Sequence, residues 1–282
     1  MNLSMAFFMK FIIKYVIIEK IIVKKEVVMY NEMIENVGNN ALNKATSCRE
    51  YRAKFFVSSM LAGCFIGIGV LTSFASASLF YGAGSLYAKL VMAITFCIAL
   101  TLVIFTNTEL FTGSNYVMSI GKLDKKISTS DMISVWCLSW FGNFLGAILL
   151  SIIFVLTGLV SEGVLMEFFA KMALAKASIP PVQLFARGIL CNFLVCLTLV
   201  VTGRAKEDSA KILLTIMCLF AFVIIGFEHS IANMTVFSVA LLEKSITSIS
   251  IGKALYALII ATLGNVVGGA IFVGGTFYFL KK

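Results

Sequence analysis

The sequence predicts an all-α membrane protein of six transmembrane helices, arranged as two inverted three-helix repeats whose second and fifth helices are broken. Three observations carry this reading. The chain is 60% apolar and only 13% charged, about half the charged share of a soluble domain, so it lacks the polar surface that water requires. Its apolar runs reach about 20 residues or more, the length a helix needs to cross the hydrocarbon core. Two of those runs carry polar strings in their middle. Within lipid every backbone group must be bonded internally, which long helices achieve and open strands do not.

Residues 1–28 come first. Lys10, Lys14, Lys20, Lys24 and Lys25 interrupt an Ile/Val/Phe-rich stretch with no small-residue cleavage site after it. It reads either as a basic amphipathic helix on the inner leaflet or as a stretch upstream of a natural start at Met29. Residues 30–53 read as a polar, amphipathic helix. Together, 1–53 form an N-terminal region ahead of a transmembrane domain over 54–282. The six spans are expected near 54–76, 89–120, 132–160, 183–203, 211–242 and 252–280.

Charge orients the bundle. Seventeen Lys and Arg fall on the side that holds the termini, against six on the other. Leaving out the N-terminal region, the split is eight to six. The positive-inside rule then puts both termini in the cytoplasm, in a multi-pass protein of the cell inner (plasma) membrane surrounded by lipid. The net charge of +9 follows from this topology, so no nucleic-acid partner is expected. There is no Gly-rich phosphate loop after a strand. The seven cysteines form no C-x-x-C pair, and the one histidine is remote from any cysteine cluster; no metal or cofactor is expected.

The second span contains Phe105-Thr106-Asn107-Thr108-Glu109-Leu110-Phe111-Thr112-Gly113-Ser114-Asn115, and the fifth contains Gly226-Phe227-Glu228-His229-Ser230-Ile231-Ala232-Asn233. Each of these runs is longer than a straight crossing needs. Unwound backbone at that depth is tolerated only inside protein or beside a water-filled cavity. The third span holds Gly142-Asn143 and the sixth holds Gly264-Asn265, each followed by further small residues. Spans one to three thus echo four to six, and an odd number of spans per half inverts one half against the other. Paired broken helices mark a central transport path.

The candidate residues follow from depth and chemistry. His229 sits in the fifth-span break beside Glu228; an ionisable group at membrane depth is costly, and histidine titrates near physiological pH, which suits a proton relay or a switchable donor. A structural histidine bonded between helices is the plainer alternative. Thr112 offers a hydroxyl at the other break, either to an anion or simply to cap a half-helix. Asn192, Asn233 and Asn265 are intramembrane amides whose default role is helix–helix bonding. Phe96, Leu100, Leu110, Phe111 and Phe222 read as core by composition, and as hydrophobic constrictions only if the fold places them on a path. Lys176 and Arg187 fall near the outer face, as solvated charge or as anion attractors.

Glu109-Leu110-Phe111-Thr112-Gly113 and Gly226-Phe227-Glu228-His229-Ser230-Ile231-Ala232-Asn233-Met234 resemble the two break motifs of the formate/nitrite transporter family. Arg187-Gly188-Ile189-Leu190-Cys191-Asn192 and Gly264-Asn265-Val266-Val267-Gly268-Gly269 resemble two further motifs of that family, in the same order. The resemblance spans roughly residues 30–282. It implies an aquaporin-like protomer, a homopentamer with one pore per protomer, and substrates such as formate, nitrite or hydrosulfide. It implies that Thr112 belongs to the flexible loop of the second span, that His229 is the central pore histidine and that Lys176 is the outer-vestibule lysine. Leu100, Phe111 and Phe222 would then lie at constrictions, with Glu228, Asn192 and Asn265 supporting a polar network. The Glu109–Gly113 string and the Ile/Lys-rich composition are similar to clostridial members grouped with hydrosulfide channels.

The expected function is a channel for small monovalent anions, with a proton shared through His229 so that the weak acid crosses the apolar constrictions uncharged. A neutral-solute pore of aquaporin type would share the repeat, but paired Asn-Pro-Ala motifs are absent; the only prolines are Pro180 and Pro181. An intramembrane enzyme would need a nucleophile–base or metal constellation that one histidine beside one glutamate does not supply. A purely structural scaffold would have no use for two polar breaks.

Overall fold

The computed structural model describes residues 28–246 and 249–281. The basic stretch over 1–28, read above as a surface helix or as lying before the natural start, falls outside the described residues but for Val28. Helix α1 covers 28–50. The others are α2 (Arg52–Gly82), α3 (Ala88–Thr95), α4 (Ile98–Thr106), α5 (Phe111–Leu123), α6 (Thr129–Leu156), α7 (Gly163–Ala177), α8 (Pro181–Thr202), α9 (Asp208–Ile225), α10 (Ser230–Leu242), α11 (Ile251–Val266) and α12 (Thr276–Phe279), with a π-helical segment Val267–Gly275 joining the last two. No strand occurs among the described residues.

Six of these units are long and apolar enough to span a membrane: α2, α3–α4, α6, α8, α9 and the run Ile251–Phe279. The expected second span thus resolves into a crossing by α3–α4, a loop over 107–110, and a separate half-helix α5. The fifth resolves into α9, a loop over 226–229, and α10. Helix α7 was not anticipated. Its apolar stripe of Phe169, Ala173 and Ala177 is buried, and Phe168 and Phe169 pack on Phe74 with centroids 5.3 and 4.8 Å apart. This packing places Lys176, in its last turn, beside the fifth-span break.

Local signals set the ends. Ser128 and Asp131 form a capping box that starts α6. Pro181 opens α8 at its first position, where a missing N–H costs nothing. Large apolar side chains such as Ile153 and Leu156 on α6 remain exposed on the single chain.

Small residues set the spacing of the central helices, as membrane packing favours. A Cβ at Gly146 of α6 would lie 2.0 Å from the Met60 carbonyl oxygen of α2, and one at Gly268 would lie 2.2 Å from the Ile189 carbonyl oxygen of α8. Both obstacles are backbone, so the helices themselves would have to part. Gly146→Val is therefore expected to cost about 1–3 kcal/mol or more through overpacking and to lower the Tm of the detergent-purified protein. Gly252→Ala, at a site with nothing within 4 Å, is the control and should leave Tm in place. An unchanged Tm for Gly146→Val would show that the two helices do not depend on this contact.

Candidate functional site

The two breaks are built alike. Helix α4 ends on Asn107 at φ 51° and α9 ends on Gly226 at φ 97°. These left-handed residues turn the chain out of its helix. Asn is among the few side chains that accept that conformation. The unwound backbone is then tied down by an asparagine from a neighbouring helix. Asn143 of α6 donates to the carbonyls of Ser59 (2.7 Å) and Glu109 (3.0 Å) and accepts from the Phe111 N–H (2.9 Å). Asn265 of α11 donates to the carbonyls of Gly188 (2.8 Å) and Glu228 (3.0 Å) and accepts from the Ser230 N–H (2.9 Å). Both amides are fully buried. Each break thus finds the internal partners that a membrane interior demands of non-helical backbone.

Half-helices α5 and α10 start from these breaks, and their N-termini meet. The Thr112 hydroxyl oxygen lies 3.0 Å from His229 Nε2. His229 caps α10: its Nδ1 accepts from the Ala232 N–H at 3.1 Å. A nitrogen that accepts carries no proton, so the neutral ring holds its proton on Nε2 and donates it to Thr112. The threonine hydroxyl is then free to donate elsewhere. Two helix N-termini converging on this contact add positive potential. Thr112 and His229 are 0% and 4% exposed.

A cavity of about 740 Å³ opens on one side of this contact, lined by α1, Lys44, Leu100, Leu110, Gly113 and the 203–206 loop. A second, of about 210 Å³, opens on the other and is lined by Lys89, Phe96, Lys176, Arg187, Phe222 and His229, among others. Leu100 and Leu110 line the first cavity. Phe96 and Phe222 line the second, packed edge to face with centroids 5.7 Å apart. Phe111 is buried but lines neither cavity.

Each side carries a lysine–glutamate pair on the break. Lys176 Nζ donates to both carboxylate oxygens of Glu228, at 3.0 and 2.9 Å, and Asn233 Nδ2 donates to the same carboxylate at 2.8 Å. On the side of the first cavity, Lys44 of α1 pairs with Glu109. Lys126 steadies α1 by donating to Asn39 Oδ1 (2.7 Å) and to the Glu35 carbonyl (3.1 Å).

Of the candidate residues, His229, Lys176 and Glu228 line the second cavity, and Thr112 meets His229. Asn192 and Asn265 line neither cavity. The Asn192 amide N–H groups reach the carbonyls of Thr112 (3.2 Å) and Asn265 (2.7 Å) and Asn115 Oδ1 (3.0 Å). Cys196, one turn further along α8, donates its S–H to the same Thr112 carbonyl at 3.3 Å. Sequence reasoning missed Lys44, Glu109 and Asn143 as site residues. The matching strings held the signal, because Asn143 and Glu109 stand at the first break as Asn265 and Glu228 stand at the second.

Two cation-lined cavities meeting at one buried polar contact, inside six membrane-length helices, define a membrane channel or transporter. The sequence profile described as formate/nitrite transporter matches residues 31–279, and the chain belongs to that family. It is 34% identical over 255 residues to the Escherichia coli nitrite transporter NirC, covering 90% of this chain and 94% of that one. Among solved structures, an FNT family ion channel superposes with a TM-score of 0.84 at 32% identity, over 89% of this chain and 99% of the other. A pentameric formate channel with formate bound gives 0.72 at 28% identity, over 82% and 98%.

Proposed function

We propose that this chain is a membrane channel for small monovalent anions, with formate, nitrite and hydrosulfide as the candidate substrates, and that passage is coupled to a proton. The observation that carries the reading is the Thr112–His229 contact, set between two cation-lined cavities and flanked by apolar side chains. Lysines and arginines at both mouths raise the local anion concentration. A bare anion would lose its hydration between Phe96, Phe222, Leu100 and Leu110, at a large cost. The neutral acid would not. Thr112, with its hydroxyl proton free, donates to the arriving anion. As that proton moves to the anion, Nε2–H of His229 replaces it, and Nδ1 takes up a proton from the outer cavity. The last step requires release of the Ala232 N–H, a bond of roughly 1 kcal/mol net.

The matched bonds of Asn143 and Asn265, and the matched ion pairs of Glu109 and Glu228, support two halves related by inversion. With both termini in the cytoplasm, the 740 Å³ cavity is the inner vestibule. The similar formate channel is pentameric, which supports the same assembly here.

The test is purified protein in liposomes, with uptake of each anion followed across pH gradients and across voltage. Proton-coupled passage follows the pH gradient, whereas passage of the bare anion follows voltage at about 2.3 kcal/mol per charge per 100 mV. His229→Phe is expected to abolish the pH-dependent component. If that component persists in the variant, the relay is wrong. If water or glycerol passes and no anion does, the neutral-solute pore is the better reading.

A further inference from the structure

The cations around the outer cavity are not equivalent. Lys176 is bonded through its ammonium to both oxygens of Glu228, so its charge is largely neutralised within the protein. Lys89 is exposed, where water and salt screen it. Arg187 lines the same cavity and is half-buried. Among the described residues no carboxylate lies within 4 Å of its guanidinium. Its backbone is held at the break, since its carbonyl accepts from the Glu228 N–H at 3.3 Å. The next carbonyl, that of Gly188, is held by Asn265.

We propose that Arg187 is the first anion-binding group of the outer mouth, and that its planar fork favours anions with two oxygens on one atom. The proposal rests on the anion-channel reading above and goes beyond it to the order of preference among anions. A guanidinium presents two parallel N–H donors that match a carboxylate-like edge, whereas an ammonium is a point charge. Formate and nitrite each present such an edge. Hydrosulfide and chloride present a single acceptor atom and gain nothing from the second donor. Arg187 therefore sets the half-saturating concentration for formate and nitrite, and Thr112 and His229 act on whatever anion arrives.

The experiment compares wild type, Arg187→Lys and Arg187→Gln in liposomes, each first checked by size-exclusion chromatography for wild-type assembly. Uptake of formate, nitrite and hydrosulfide is measured against concentration at one pH and one salt. Arg187→Lys is expected to raise the half-saturating concentration of formate and nitrite about tenfold, the worth of one lost charge-assisted bond, with hydrosulfide unchanged. Arg187→Gln should raise all three. An Arg187→Lys protein equal to wild type for every anion overturns the proposal, as does one weakened equally for all three. The unaltered protein supplies a second readout should the variants fail to assemble: formate and nitrite should compete with hydrosulfide uptake at concentrations where chloride does not. Equal competition by chloride overturns the proposal as well. A wild type that passes no anion removes the channel reading itself, an outcome distinct from an Arg187 effect that is missing in a working channel.

Discussion

Asn265→Leu is expected to abolish anion uptake and to lower the stability of the protein by several kcal/mol. The substitution keeps roughly the same volume but removes three buried bonds at once, to the carbonyls of Gly188 and Glu228 and from the N–H of Ser230. Interhelical hydrogen bonds in membranes average only about 0.6 kcal/mol, because the unfolded chain also finds partners. Here, however, the orphaned groups include break backbone with no helical partner, and a buried polar group left unpaired costs about 1–3 kcal/mol. The 226–229 loop would have to rewind or shift, and His229 would leave Thr112. Asn143→Leu should behave in the same way at the other break and displace Thr112 instead. Thermal unfolding in detergent and uptake by liposomes check both variants. Tm and uptake that stay near wild type for Asn265→Leu would mean that the break is held by something other than this amide.

The second large effect is expected at the Lys176–Glu228 ion pair. Lys176→Met leaves the Glu228 carboxylate, 5% exposed, with Asn233 Nδ2 as its remaining side-chain donor. Removing one member of a buried pair costs about 3–5 kcal/mol. The figure here is expected at the low end, because the Lys176 side chain is 17% exposed and water screens it. Tm should fall and uptake should drop by at least about tenfold, the equivalent of 1.4 kcal/mol. Adding Glu228→Gln removes the stranded charge while keeping an acceptor for Asn233, so the double variant should recover most of the lost Tm. It should also recover much of the uptake, since the pair contributes no net charge to the cavity. A double variant no more stable than Lys176→Met would show that the lysine acts through something other than Glu228.

The site was legible in the sequence where polarity conflicts with depth. Polar strings at Glu109–Asn115 and Glu228–Asn233 inside apolar runs have few physical explanations, and both proved to be unwound loops leading into half-helices. The pairing of partners was not legible in the same way. Lys44 lies in a polar amphipathic helix where a lysine is unremarkable, and only the packing of α1 brings it to Glu109. Asn192 and Asn265 read from the sequence as intramembrane amides that bond between helices and support a polar network, without their partners. The fold supplies those partners: Asn192 bonds the Thr112 carbonyl and Asn265 bonds the Glu228 carbonyl, beside His229. Helix α7 was missed because a charged 15-residue segment has neither the length nor the hydropathy of a span.

What the sequence by itself determined is the solvent, the number of spans, the two breaks and the family, because these depend on composition and on short strings of adjacent residues. Only the tertiary structure decided that His229 Nε2 meets Thr112 and that Lys176 is the cation of the second cavity paired with Glu228. Those facts depend on groups more than fifty positions apart in the chain, as with Lys176 and Glu228 or Thr112 and His229. Such pairs are brought within 3 Å by small residues that let the helix backbones touch, and no local pattern records that distance.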